Sequence, residues 1–389
     1  MNKFLKNIYK FVLLAALIMA TVIMVKGLEV HAEDGKTVRV STAKEIKKAI
    51  NNPDVGTIIF RTQAYIDVTI KANKDASSKF FIVDSPNANI TNKAVFASID
   101  IQSAKTFTES ASGNKISLTG YFDDSLNGFT VSKNKKVESL TLNNFYYNPG
   151  YKLKKGAKVK ELTIVKLDKD DTPFMVTLNS KNKTGKISII DYWDFEEKFS
   201  FTIDKNGRLT RVICDSENVE NYFDYKYEYD KNGNLLSVTG EDNGNGGCDY
   251  FSYSGNKLVN KKVGVFSVAN TQYEYDKKGR LVHELSNYEY NMDNITEYET
   301  SDVDYEYDKK GRLTYYRFEY VESGYFYEYS YQYNSKGFLT KVYCNESGAL
   351  SESTYEYNKA GDMLKFTNVS EGYTDVIESK YDELGNKIN

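Results

Sequence analysis

The sequence predicts an all-β chain of two successive repeat architectures. A parallel β-solenoid with a short capping helix comes first, then a long antiparallel β-hairpin meander. Three observations predict this. Aromatic residues make up 14% of the chain, with 33 Tyr and 21 Phe against one Trp, and aromatics fit pleated, half-buried surfaces. An apolar-x-x-Ile/Leu-x-apolar motif recurs in the first half, and a Tyr-x-Tyr-Asp-x-x-Gly motif recurs in the second. At 389 residues the chain is long enough for two domains with substantial cores. Its 51 Lys and Arg nearly balance 54 Asp and Glu, leaving a net charge of -3. That charge supplies no basic field for phosphate backbones, so nucleic acid is not an expected partner.

The chain opens with Lys3, Lys6 and Lys10 ahead of an apolar run from Phe11 to Val25, and Val30-His31-Ala32 supplies a cleavage pattern. Residues 1–32 read as a signal peptide, because the run falls short of the roughly 20 residues a spanning helix needs. An uncleaved anchor is the other reading. Cleavage would remove four Lys and Glu29, leaving a net charge of -6. No later segment is long and apolar enough to span a membrane, so the mature protein is expected outside the cell, released or held non-covalently at its surface.

Residues 33–190 carry the solenoid signal. The motif appears at Val55–Phe60, Phe96–Ile101, Val137–Leu142 and Val159–Ile164, the last two starting 22 residues apart, with a further copy at Gly185–Ile189. Short strands at a period near 20 suit coils that bury their inward residues by stacking on neighbours. Upstream, Thr42 and Glu45 form a capping-box pattern, followed by Ile46, Ala49 and Ile50 on one helical face. A helix there would cover the open end of the solenoid.

Residues 191–389 carry the clearer repeat: Tyr227–Leu235, Tyr273–Leu281 and Tyr305–Leu313, with weaker copies at Tyr331–Leu339, Tyr355–Met363 and Tyr381–Gly385. Asp or Asn three residues before Gly suits a type I turn that the side chain caps, the Gly taking the left-handed bulge position. Gly311, Gly324, Gly337, Gly348, Gly361, Gly372 and Gly385 stand 11 or 13 residues apart, which leaves one strand of eight or nine between reversals. Strand parity then puts Tyr325, Tyr327, Tyr329, Tyr331 and Tyr333 on one face, opposed by Phe326, Glu328, Ser330 and Gln332.

Through the Tyr-Asp-x-x-Gly-x-Leu core, this second half resembles the YD, or RHS-type, repeats of secreted bacterial proteins. The resemblance implies a curved sheet of hairpins that can close into a shell around a toxin. Residues 174–389 contain no Pro, so the Pro-containing motif that ends such shells is absent there. The first half is similar, in periodicity, to a right-handed parallel β-helix.

Cleavage would leave His283 as the only histidine. Zinc sites built on several histidines are thereby excluded, and the alternation around His283 reads as an ordinary strand. Cys214, Cys248 and Cys344 are expected to be unpaired, because Cys214 and Cys344 occupy equivalent positions in separated repeats. The acidic stretches Asp168–Asp171 and Glu241–Asp249 lack EF-hand spacing and read as solvated loops. No cofactor, metal site or catalytic set is expected.

The candidate binding residues are Tyr325, Tyr327, Tyr329, Tyr331 and Tyr333, read as a partly wet platform because nothing in their half is available to cover them. Trp193, at the junction, is the other candidate. The leading expectation is a secreted or surface-associated, non-enzymatic protein that binds a glycan or protein ligand. The alternative is a β-helix-type polysaccharide-active enzyme, although the solenoid offers only Arg39 and Arg61 as arginines. A fragment of an RHS toxin-delivery shell is the third reading.

Overall fold

A computed structural model describes residues 35–119, 128–143, 150–167, 173–190, 194–216, 222–242, 245–255, 257–264, 267–292 and 295–388. The signal segment, Trp193 and Asp168–Asp171 lie outside the described residues. The fold is all-β: a solenoid of about five coils, then a 16-stranded antiparallel sheet, with one short α-helix.

In the solenoid, strands Lys36–Val40, Val55–Arg61, Phe80–Asn92, Ser98–Glu109, Lys115–Leu118, Lys136–Asn143 and Lys158–Leu167 pair in parallel in that order. The registers turn the sequence motif into two continuous ladders. One runs Ile58, Phe81, Ile99, Ile116, Leu140, Leu162, and the other Phe60, Val83, Ile101, Leu118, Leu142, Ile164. Every one of these side chains is buried. Each coil thus buries its inward residues against the coil above and below.

The helix Ala43–Ile50 forms as expected. Thr42 caps it with the reciprocal Glu45 bonds of a capping box, and Ile46, Ala49 and Ile50 are its buried residues. It packs on the first strands and covers that end of the core. At the opposite end the pairing direction changes, because Lys158–Leu167 pairs antiparallel with Pro173–Asn179.

Strand Thr184–Ile190, read from sequence as another solenoid copy, belongs instead to the second sheet. It pairs antiparallel with Glu196–Ile203, setting Ile187 against Phe199. A short alternating strand has the same pattern in either setting, so periodicity alone could not place it.

The second sheet is a pure meander, with every strand hydrogen-bonded to its sequence neighbours from Thr184–Ile190 to Tyr373–Glu378. Its main turns follow one plan. In the turn Asp308–Gly311, Asp308 N–H donates to the Arg312 carbonyl (2.9 Å) and Gly311 N–H to the Asp308 carbonyl (3.0 Å). The Asp308 carboxylate accepts from the Lys310 and Arg312 amides at 2.8 and 2.9 Å. Gly311 takes φ +84°, and the register slips at the following pair, Tyr307 opposite Leu313.

The sequence reading assigned no role to the residue after the turn glycine. Arg312 Nε bonds Asp308 at 2.6 Å while its guanidinium lies 4.6 Å over the ring of Tyr333 in the next repeat. Tyr333 in turn donates to the Leu313 carbonyl at 2.8 Å. Arg208 with Tyr229 repeats both contacts. Each such unit is therefore pinned to its successor by a cation–π contact and a hydrogen bond.

The meander meets the solenoid at both of its ends. Near the last coil, the Tyr151 hydroxyl donates to the Gly207 carbonyl (2.7 Å) and accepts from the Leu209 amide (3.0 Å). Phe199, Phe201, Val212, Phe223 and Tyr227 share one core with Leu153, Val159 and Leu162. Near the first coils, Tyr65 N–H donates to the Gly337 carbonyl at 3.0 Å. Arg39 makes a two-pronged ion pair with Asp362 (2.8 and 2.5 Å), and Arg61 reaches the Leu384 carbonyl at 3.0 Å. Between these anchors the turns stand clear: a methyl group added at Gly255 or Gly311 would meet nothing within 4 Å, and at Gly279 only Lys257 of the same sheet.

The turns at Gly207 and Gly337 are ten strand spacings apart, about 48 Å at about 4.8 Å per strand. The solenoid strands flanking their contacts, Val55–Arg61 and Lys158–Leu167, are five spacings apart, about 24 Å. A sheet with twice the path of its anchors must bow away between them, so the meander arches over the solenoid.

Candidate binding face

The face of the sheet that carries Tyr325 to Tyr333 is the concave side of this arch. At the first anchor the same face supplies Phe199, Phe201, Phe223 and Tyr227 to the shared core. At the second it sets Tyr333 edge-on to Tyr65 of the solenoid, with ring centroids 5.0 Å apart. The tyrosine row is expected to stay partly wet because nothing in its own half covers it, and its five tyrosines are half-buried; what that expectation omits is cover from the other half. The solenoid covers its turn-proximal end, a contact between segments more than 250 residues apart that strand parity cannot foresee.

The five tyrosines are all half-buried, but they divide into two groups. Tyr333 is a structural residue, held between Arg312 and Tyr65, with its hydroxyl spent on the Leu313 carbonyl. Tyr331 packs against Tyr329 (6.3 Å, 22°), and burial pushes its hydroxyl well above the ordinary phenol range. Toward the distal end, Tyr329 meets Tyr316 at 5.9 Å and Tyr327 meets Phe318 at 6.1 Å. Tyr325 stands edge-on to Tyr327 at 5.1 Å, donates its hydroxyl to the Glu346 carboxylate and shares a second hydrogen bond with the Tyr327 hydroxyl. Burial and the Glu346 carboxylate hold that phenol far up as well.

Cross-strand pairing extends this cluster along the arch. Tyr327 faces Phe318, Phe318 faces Val303, Val303 faces Glu284 and Glu284 faces Tyr273. Beside this row lies a line of small hydroxyls, Thr271, Ser286 and Ser301, all buried, with Thr271 and Ser286 hydrogen-bonded at 2.8 Å. Desolvation raises the Glu284 carboxyl above its ordinary range. The concave face therefore combines partly exposed ring surface with tyrosine hydroxyls and the carboxylates of Glu284 and Glu346, while Thr271, Ser286 and Ser301 are buried between the strands. This mixture suits a ligand with apolar patches between hydrogen-bonding groups.

The convex face opposite is different in character. Phe326, Glu328, Ser330 and Gln332 point there, and an open hollow of about 510 Å³ is bounded by Glu328, Tyr343, Asn345, Leu350, Glu352 and Val369. Of the other candidates, residues 243 and 244 of the second acidic stretch lie outside the described residues. Its flanks form the pairing between Leu235–Asp242 and Asn245–Ser254. Cys214 and Cys344 are free thiols, as expected. Cys214 is fully buried, and desolvation pushes it up to about 12, which makes it an inert packing residue. Both arginines of the solenoid, Arg39 and Arg61, are engaged by the meander.

No protein-family profile matches the chain, and no curated protein matches it in sequence. Among solved structures, one similar chain comes from a crystal structure of TcdB2-TccC3-TEV, at 12% identity and a TM-score of 0.29. The match covers 56% of this chain and 14% of that one, so this chain spans about a seventh of that protein's length. Another is a porin-like protein from Bacteroides uniformis ATCC 8492, at 11% identity and a TM-score of 0.26, covering 50% of this chain and 91% of that one. Likeness at this level assigns neither family nor activity. Among the described residues no helix is long and apolar enough to cross a membrane, which says nothing of strands.

Proposed function

We propose that this chain is a secreted or surface-associated repeat protein that acts by binding, without catalysis, and that its ligand is a glycan or a glycan-bearing protein engaged by the concave aromatic face. One observation carries the reading. The distal tyrosines Tyr325, Tyr327 and Tyr329, with Tyr316 and Phe318, gather partly exposed rings next to Glu346. Flat rings stack on the apolar faces of sugars while hydroxyls and carboxylates take the sugar hydroxyls. The YD-type turn motif and the amino-terminal segment favour a place among secreted repeat proteins. The test is a panel of wall, mucin and plant polysaccharides titrated against the purified protein, with turnover assayed in parallel. Saturable binding that Tyr327→Ser/Tyr329→Ser weakens at least tenfold, with the fold retained, supports the proposal. Turnover that survives further purification, or binding indifferent to the double substitution, overturns it.

A further inference from the structure

The convex face of the arch carries a cluster that the binding proposal does not use. His283 lies on strand Leu281–Met292, and Asp302 and Asp304 lie on the neighbouring strand Ile295–Tyr307. Antiparallel pairing sets His283 directly across from Asp304 and Leu285 across from Asp302. The two carboxylates are two residues apart and so share a face with the imidazole. His283 Nε2 is 2.9 Å from Asp302 Oδ1, and one ligand atom from each of the three residues lies within 4.8 Å of the other two. His283 and Asp302 are half-buried and Asp304 is exposed, so the cluster opens to solvent on one side.

The charges at this point are unbalanced. Arg317 stands across from Asp304 on the next strand, yet its guanidinium is turned to Glu319 at 2.8 Å and lies over Phe326. Across from His283 on its other flank stands a further acid, Glu274. Among the described residues no Lys or Arg makes an ion pair with Asp302 or Asp304.

We propose that His283, Asp302 and Asp304 form a binding site for a divalent transition-metal ion of the zinc or copper type. One imidazole nitrogen and two carboxylate oxygens make a mixed donor set that such ions accept, with remaining positions left to water. Ca²⁺ and Mg²⁺, which take all-oxygen sets, are disfavoured by the imidazole. The ligands come from two hydrogen-bonded strands rather than a loop, so the site is built before the ion arrives.

Isothermal titration of the full chain, without an affinity tag, with Zn²⁺ in a buffer free of chelators tests this. One saturable site in the micromolar range is expected, with no comparable heat from Ca²⁺ or Mg²⁺. Co²⁺ should give visible absorption bands that Zn²⁺ displaces. His283→Ala and, separately, Asp304→Asn should each weaken Zn²⁺ at least about tenfold; Asp304 is exposed, so its conservative change leaves the strand pairing intact. Absence of saturable Zn²⁺ binding, or Zn²⁺ affinity unchanged in folded Asp304→Asn protein, overturns the site. Zn²⁺ and Ca²⁺ binding alike would also overturn it, because that is the behaviour of an undirected acidic surface.

Discussion

Replacing two turn glycines that share a backbone conformation but not a neighbourhood separates the cost of the turn from the cost of the docking. Gly233 and Gly311 have φ of +87° and +84°. An alanine at either pays the left-handed penalty, about 1–2 kcal/mol. At Gly311 a new Cβ meets nothing within 4 Å, so that penalty is the whole effect. At Gly233 the Cβ would be driven onto the Leu153 carbonyl of the solenoid, with its carbon at 2.8 Å and Lys154 Cα at 3.5 Å. Backbone cannot give way as a side chain can, so the turn must lift from the solenoid. Lifting re-exposes part of Leu235, which is only 6% accessible, and full burial of one such side chain is worth about 1.5–3 kcal/mol. The Gly233→Ala loss should therefore be about 2–5 kcal/mol, against about 1–2 kcal/mol for Gly311→Ala. Urea titrations followed by far-ultraviolet circular dichroism would read both as shifts in midpoint. Gly311→Asn should cost less than Gly311→Ala, because Asn tolerates the left-handed region, and Gly311→Val should cost more. Equal midpoints for Gly233→Ala and Gly311→Ala would refute the seating of the turn edge on the solenoid. A Gly311→Val protein as stable as its parent would refute the turn geometry itself.

Three other outcomes follow from buried polar groups. Arg39 and Asp362 side chains are 7% and 6% accessible, so Arg39→Met, which strands a buried carboxylate, should cost about 3–5 kcal/mol, while Arg39→Met/Asp362→Leu should recover most of it; a double variant no better than the single one in urea titration would show that the contact matters for something besides charge. Glu109 accepts bonds from the Asn92 and Asn114 amides (3.0 Å each) and the Ala111 N–H (2.6 Å) inside the solenoid, and Gln has one acceptor oxygen where the carboxylate has two, so Glu109→Gln should cost about 1–3 kcal/mol. Burial nevertheless lifts the Glu109 carboxyl to about 7 from 4.5; the folded form holds the proton longer, so the parent should lose stability as pH rises from about 4.5 to 7 while Glu109→Gln does not, and parallel pH profiles in urea would refute this. Tyr325, Tyr329, Tyr331 and Tyr333 are all raised by burial, so stability should be intact below about pH 10 and fall above it; absorbance at 295 nm should show them ionising together with unfolding, and ionisation near pH 10 in a still-folded protein would contradict their placement.

What could be read from the sequence was everything that depends on residues close together in the chain. Thr42 and Glu45 are one helical turn apart, Asp308 and Gly311 lie within a single reversal, and the parity of Tyr325 to Tyr333 needs only one strand. The solenoid ladders were legible where the motif was complete, as at Ile58 and Leu140, and hidden where coil length varied, as at Phe81 and Ile116. The contacts that decide the candidate face were not legible. Tyr65 against Tyr333 and Arg39 against Asp362 depend on how far a sheet bows over how many coils, which no local pattern encodes. The same holds for His283 and its aspartates. His283 looks ordinary in its own strand, and only the register of the neighbouring strand gives it two carboxylates.

The anchoring of the meander at both ends also dictates an order of events in making the protein. Arg39 and Asp362 are 323 positions apart, so this contact can form only after nearly the whole chain has been made, although the entropy of closing a loop grows only slowly with its length. The solenoid, whose coils touch mainly their immediate neighbours, can form while the rest of the chain is still emerging. The arch cannot be completed until the segment around Asp362 and Leu384 has arrived to meet strands made at the outset. Until then the aromatic concave face lies open, so the nascent protein is most vulnerable to clumping or proteolysis in the interval before its ends meet. Closure is then the step that a slow-folding variant would stall on, and the point at which a folding helper would have to act.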